Sequence, residues 1–116
     1  MITCYLRYEI APFKAKEFET YAKMWLPLVK KFGGTHHGYF LPEQTPASAA
    51  FSFPGLGEEG PSNVGIALFS FPTVEAYDSY RQRVAEDPVC EAVTKHFNET
   101  KCFLKYERTF MKQIAR

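Results

Sequence analysis

The chain of 116 residues predicts one α+β domain, a four-stranded antiparallel sheet with helices on one face. Three observations carry this. Residues 2–10 and 102–111 alternate apolar and polar side chains with period two, as half-buried strands do. Two stretches between them repeat apolar residues every three to four positions, the spacing of a buried helical face. The resulting order is β, α, β, β, α, β.

In the first strand Ile2, Cys4, Leu6, Tyr8 and Ile10 share one side, with Thr3, Tyr5, Arg7 and Glu9 on the other. Pro12 suits the first turn of the helix that follows, whose buried face is Phe18, Tyr21, Ala22, Trp25, Val29 and Phe32. Gly33 and Gly34 end it. Pro27 removes one backbone hydrogen bond inside this helix and is expected to bend it just after Trp25, opening space beside the indole. The second strand is expected over about 35–42 and the third over 63–71.

Between them, residues 43–62 read EQTPASAAFSFPGLGEEGPS, far longer than a usual hairpin connection. Phe51 and Phe53 in this loop need somewhere to pack, over a pocket or against a partner subunit. Thr73 caps the next helix, which carries Val74, Tyr77, Tyr80 and Val84. Asp87 caps and Pro88 opens a shorter helix through about Thr100. The last strand sets Cys102, Leu104, Tyr106, Arg108 and Phe110 against Phe103, Lys105, Glu107, Thr109 and Met111.

Two split β-α-β halves in this order make a ferredoxin-like sandwich spanning residues 1–116. One sheet face lies under the helices. The other is expected to carry Tyr5 and Phe69 or Phe103, large side chains that a monomer leaves partly wet. A homodimer through the two open sheet faces is the expected remedy.

Composition narrows the function classes. Fourteen basic against thirteen acidic residues give no electrostatic reason to expect nucleic acid or an anionic membrane. No apolar run reaches membrane-spanning length, and the start has no signal-peptide pattern. Cys4, Cys90 and Cys102 are odd in number and widely separated, which fits reduced thiols in a cytoplasmic compartment and not a metal motif. With no phosphate loop or nucleophile elbow either, no cofactor and no metal are expected. Eleven Phe, seven Tyr and Trp25 point to a core or a cavity built from rings, and a cavity of that kind would suit a small apolar or aromatic molecule.

The candidate polar chemistry starts at His36 and His37, in the stretch GGTHHGYFL. Adjacent strand residues point to opposite faces, so the pair cannot chelate one metal without a bulge. One imidazole facing the cavity acts as an acid, a base or a ligand contact, or both are hydrogen-bonded structural residues. Parity groups His37 with Tyr39 and Leu41, and His36 with Gly38 and Phe40; His37 with Tyr39 is the expected cavity-facing pair. Arg7 shares the Tyr5 face and either pairs with Glu107 across the sheet or binds an anion, the ion pair being the commoner arrangement. Trp25 is read as a pocket wall, and Asn98 and His96 as exposed or capping residues.

The strand KCFLKYERTF, the helix YAKMWLPLVKKFGG running into THHGYFLP, and LFSFPTVEAYDSYR followed by AEDP resemble the NIPSNAP family of the dimeric α/β-barrel superfamily. The resemblance covers nearly the whole chain except the 43–62 loop. It implies a ferredoxin-like protomer and a homodimer whose sheets face each other as a barrel. It implies no single reaction, because superfamily relatives include cofactor-independent monooxygenases, haem-degrading monooxygenases, isomerases and ligand-sensing domains. Three readings follow. The chain binds a small molecule in a ring-lined cavity with Trp25, Tyr39, Tyr5, Phe69 and Glu107 as candidate contacts. Alternatively it is a cofactor-independent monooxygenase or isomerase, with Arg7 holding an enolate and His37 or His36 moving the proton. The third reading is an interaction module that uses the long loop.

Overall fold

A computed structural model describes residues 1–115. The elements in chain order are β1 (Ile2–Ile10), α1 (Ala15–Lys31), β2 (Thr35–Phe40), β3 (Val64–Phe71), α2 (Val74–Val84), α3 (Pro88–Thr100) and β4 (Phe103–Met111). The strands form one antiparallel sheet in the order β2-β3-β1-β4. Local signals act largely where the sequence places them. Thr73 accepts from the Ala76 N–H at 3.0 Å to start α2, and Asp87 accepts from the Val89 N–H at 2.9 Å to start α3. Pro12 is displaced from its expected place: with Phe13 it forms a turn, and α1 begins only at Ala15.

Beneath the helices the core has two centres. Cys4, Val29, Phe71 and Val84 anchor one; Tyr8, Phe18, Ala67 and Cys102 anchor the other. Gly65 on β3 makes the second possible, since a Cβ there would lie 2.8 Å from the Phe18 ring.

Register decides which side chains face the helices. Cys4 pairs with Phe69 and Ile10 with Phe103, so both phenylalanines lie on the helix side and not on the open face. Phe103 changes sides because the β1–β4 register breaks between Glu9 and Ile10, and Leu104 is left exposed instead. The open face carries Tyr5, Arg7, Ile66, Leu68, Glu107 and Met111.

The 43–62 segment is exposed throughout and packs on itself. Phe51 lies against Gly57, and Thr45 donates to Glu59 at 3.0 Å. Phe53 and Leu56 stay 71% and 84% exposed, so the segment is an arm and not a lid over its own protomer. The chain exposes 8401 Å², against about 6,500 Å² for a compact monomer of its mass.

Candidate functional site

A cavity of about 220 Å³ lies between the sheet and the helices. Trp25 and Tyr21 of α1, Tyr80 and Arg81 of α2, Cys90 of α3, His36 and Tyr39 of β2, and Arg108 of β4 reach it. Phe69 lines it as well. Of the expected contacts, His36, Trp25, Tyr39 and Phe69 are therefore brought together. Arg7, Tyr5, Glu107 and His37 are not, because their strand positions put them on the other face of the sheet.

A bulge in β2 exchanges the expected roles of the histidines. Thr35 opposes Ser70 and His36 opposes Phe69, but Gly38 opposes Leu68, so His37 is the extra residue. Gly38 meets the backbone demand of this kink at φ +119°, a conformation that a side chain resists. His36 consequently shares the helix side with Tyr39, their rings stacked 5.1 Å apart, and also touches Phe69. His37 turns to the open face, where its Nε2 shares a 2.8 Å hydrogen bond with the Ser70 hydroxyl. That hydroxyl is also 2.8 Å from Thr3 Oγ1, which ties three strands together. Even with a bulge, the two imidazoles point opposite ways. Among the described residues no group of three or more metal-ligating side chains is placed to hold an ion.

The same bulge fixes the tautomer of His36. The Gly38 N–H donates to His36 Nδ1 at 2.9 Å, so in the neutral ring the proton sits on Nε2. Burial, with a smaller contribution from His37, pushes the His36 pKa from 6.5 down to about 4. At neutral pH the cavity therefore contains a neutral imidazole whose Nε2–H is buried with no protein partner. Trp25 Nε1–H is a second buried donor without a partner. It lies near enough to the Tyr21 oxygen to favour its ionised form, without reaching hydrogen-bond geometry. Orphaned buried donors are uncommon, and each costs about 1–3 kcal/mol if nothing satisfies it.

Burial also raises the pKa of Tyr8, Tyr21, Tyr39 and Tyr80, and pushes the Cys4 thiol up to about 11. These groups are neutral at pH 7. The charges left at the cavity are the guanidiniums of Arg81 and Arg108, and no acidic side chain lines it. Arg7 instead approaches Glu107 at 4.0 Å in a cross-strand pair open to water. His96 bonds the Glu17 carbonyl at 2.8 Å, joining α3 to α1.

The buried His36 makes stability depend on pH. In the folded chain its pKa is below its unfolded value, so as pH falls the unfolded state takes up the proton first. Its stability contribution is complete above pH 6.5 and is lost as pH falls towards 4, by on the order of 1–2 kcal/mol after allowance for partial exposure. Urea titrations at pH 7 and pH 4.5 are expected to show this loss. His36→Gln should flatten the difference, and an unchanged slope would contradict it.

Sequence reasoning missed Arg81, Arg108, Tyr21, Tyr80 and Cys90. Arg108 did carry a signal: it shares strand parity with Cys102, Tyr106 and Phe110 and is the single charged residue in that set. Arg81 directly follows the inward-facing Tyr80, at the edge of the helical stripe.

A sheet ordered β2-β3-β1-β4 with its helices on one side and a ring-lined cavity beneath them is a ferredoxin-like fold. The NIPSNAP family model matches residues 5–115, and the chain belongs to that family. Similar solved structures include an uncharacterised NIPSNAP domain protein from Burkholderia xenovorans, with TM-score 0.71, 16% identity and 99% and 96% of the two chains covered. A NIPSNAP family protein of unknown function from Agrobacterium tumefaciens aligns with TM-score 0.70 and 17% identity over 97% of this chain and 87% of that one. A provisionally assigned antibiotic biosynthesis monooxygenase from Nitrosomonas europaea aligns with TM-score 0.64 and 8% identity over 99% and 100%. At such identities the likeness is one of fold. No curated protein matches the sequence. No described helix is long and apolar enough to cross a membrane.

Proposed function

We propose that this NIPSNAP protein binds a small aromatic molecule bearing an acceptor oxygen in the cavity under its helices. The observation that supports this most is the pair of unpartnered buried donors, His36 Nε2–H and Trp25 Nε1–H, on the wall of one ring-lined cavity. A ligand oxygen there satisfies groups that the fold leaves unsatisfied. The size is consistent, because an apolar cavity of about 150 Å³ takes benzene, so about 220 Å³ suits one or two fused rings.

An enzymatic role is the second reading. A neutral imidazole locked as the Nε2–H tautomer can polarise a carbonyl and stabilise an enolate-like oxygen, the electrostatic part of what a cofactor-independent isomerase or monooxygenase requires. The likeness of fold to the Nitrosomonas protein is consistent with this. Arg7 and His37 drop out of that mechanism, and His36 becomes its oxygen-polarising residue. A cytoplasmic location fits three cysteines that are all free.

Trp25 is the single tryptophan, so its indole N–H gives one NMR signal at the site. Titration with the neutral ketone 2-acetylnaphthalene is expected to shift that signal saturably. His36→Phe should weaken binding about tenfold, the equivalent of one good hydrogen bond, and His37→Phe should leave it unchanged. No saturable shift up to the solubility limit, or equal effects of the two substitutions, would refute the assignment.

A further inference from the structure

We infer that the ligand carries a carboxylate as well as its acceptor oxygen, the oxygen reaching His36 and Trp25 among the cavity's rings and the carboxylate held at the mouth by Arg81 and Arg108. This rests on the binding function proposed above and adds the ligand's charge.

Four observations carry it. Arg81 and Arg108 come from different elements, α2 and β4, yet line the same cavity. Both line the cavity and are solvent-exposed, as residues at its mouth are. Neither has a carboxylate within ion-pair distance among the described residues. Finally, no acidic side chain lines the cavity, so the two cations meet no opposing charge there.

Both guanidiniums also act on the interior. Each lowers the pKa of the Cys4 thiol against the larger effect of burial, so their fields reach the cavity floor. Arg108 is steered by one long hydrogen bond, Nη1 to the Tyr77 hydroxyl at 3.4 Å, and lies 5.2 Å over the Phe110 ring. That leaves most of its five donors free. A planar guanidinium fork matches a carboxylate in a way that a point charge does not. The small cavity volume favours a monoanion of one or two rings over a larger anionic cofactor.

The test compares 6-acetyl-2-naphthoate with 2-acetylnaphthalene, which share the ketone oxygen and differ by the carboxylate, by calorimetry on the full chain at low salt. The naphthoate is expected to bind at least tenfold more tightly, with the advantage shrinking as salt rises. Arg81→Met and Arg108→Met should each reduce that advantage severalfold, read as the ratio of the two affinities within each variant. Both positions are exposed, so both variants are expected to fold, which circular dichroism checks. Equal binding of the two molecules to the unsubstituted chain overturns the inference and leaves the binding function standing. An advantage that survives in both variants overturns it too. Failure of both molecules to bind removes the binding function and this inference together.

Discussion

Replacing Phe18 with alanine is expected to lower the unfolding free energy by about 3–5 kcal/mol, measured by urea denaturation at a fixed protein concentration. The ring is fully buried. It meets Tyr8 edge-on at 5.1 Å, stacks with Tyr21 at 5.9 Å, and approaches Tyr39 at 6.1 Å and Phe103 at 6.3 Å. Gly65 leaves the space that the ring fills and has no side chain of its own to move in after truncation. Domains of this size have about 5–15 kcal/mol in total, so the variant would be close to unfolding. Phe18→Leu, which retains much of the volume, should cost clearly less. A loss below about 1 kcal/mol for alanine would mean that Phe18 is not the keystone of this core.

Sedimentation should find a homodimer, twice the 13.3 kDa chain mass, at micromolar concentration. Two features support this assembly. The open sheet face presents Tyr5, Ile66 and Leu68 at its centre, and the chain exposes about 1,900 Å² more than a compact monomer should. A standard interface takes about 800 Å² from each partner, so the excess suffices for one. Phe13 adds to the case, fully exposed at a positive φ of 63° where an aromatic residue gains nothing from its own chain.

Leu68→Glu puts a charge at the middle of the proposed interface, where burying it unpaired costs several kcal/mol, and is expected to yield monomer. Deleting residues 45–60 separates the roles of face and arm. If the arm clasps the partner the deletion weakens association, and if the sheet face suffices the dimer persists. A monomeric unsubstituted chain would exclude the face-to-face pairing.

The fold was legible because its signals are local. Alternation in β1, the heptad-like stripe from Phe18 to Phe32 and the caps at Thr73 and Asp87 each act within a few residues. What was not legible depends on register. β3 is apolar on both parities, with Val64, Ile66 and Leu68 on one face and Ala67, Phe69 and Phe71 on the other, so alternation could not say which face meets the helices. Only pairing with Cys4 and Ile2 assigns Phe69 and Phe71. Phe103 and the two histidines were misplaced for a related reason, since each lies at a break in strand register. Arg81 and Arg108 escaped notice because their joint role comes from a contact between distant elements, which no spacing in the chain displays.

The extra residue in β2 works like a frameshift in three dimensions. Before it, side chains alternate in one phase, and after it they alternate in the other, so His36 and Tyr39 share a face at an odd separation. Adding or losing one residue there would leave composition and helices intact while sending a different side chain to the cavity. Relatives with a flat β2 should therefore be compared by the face each residue occupies and not by its column in an alignment. A relative showing histidine one place later can present the same imidazole to the same site.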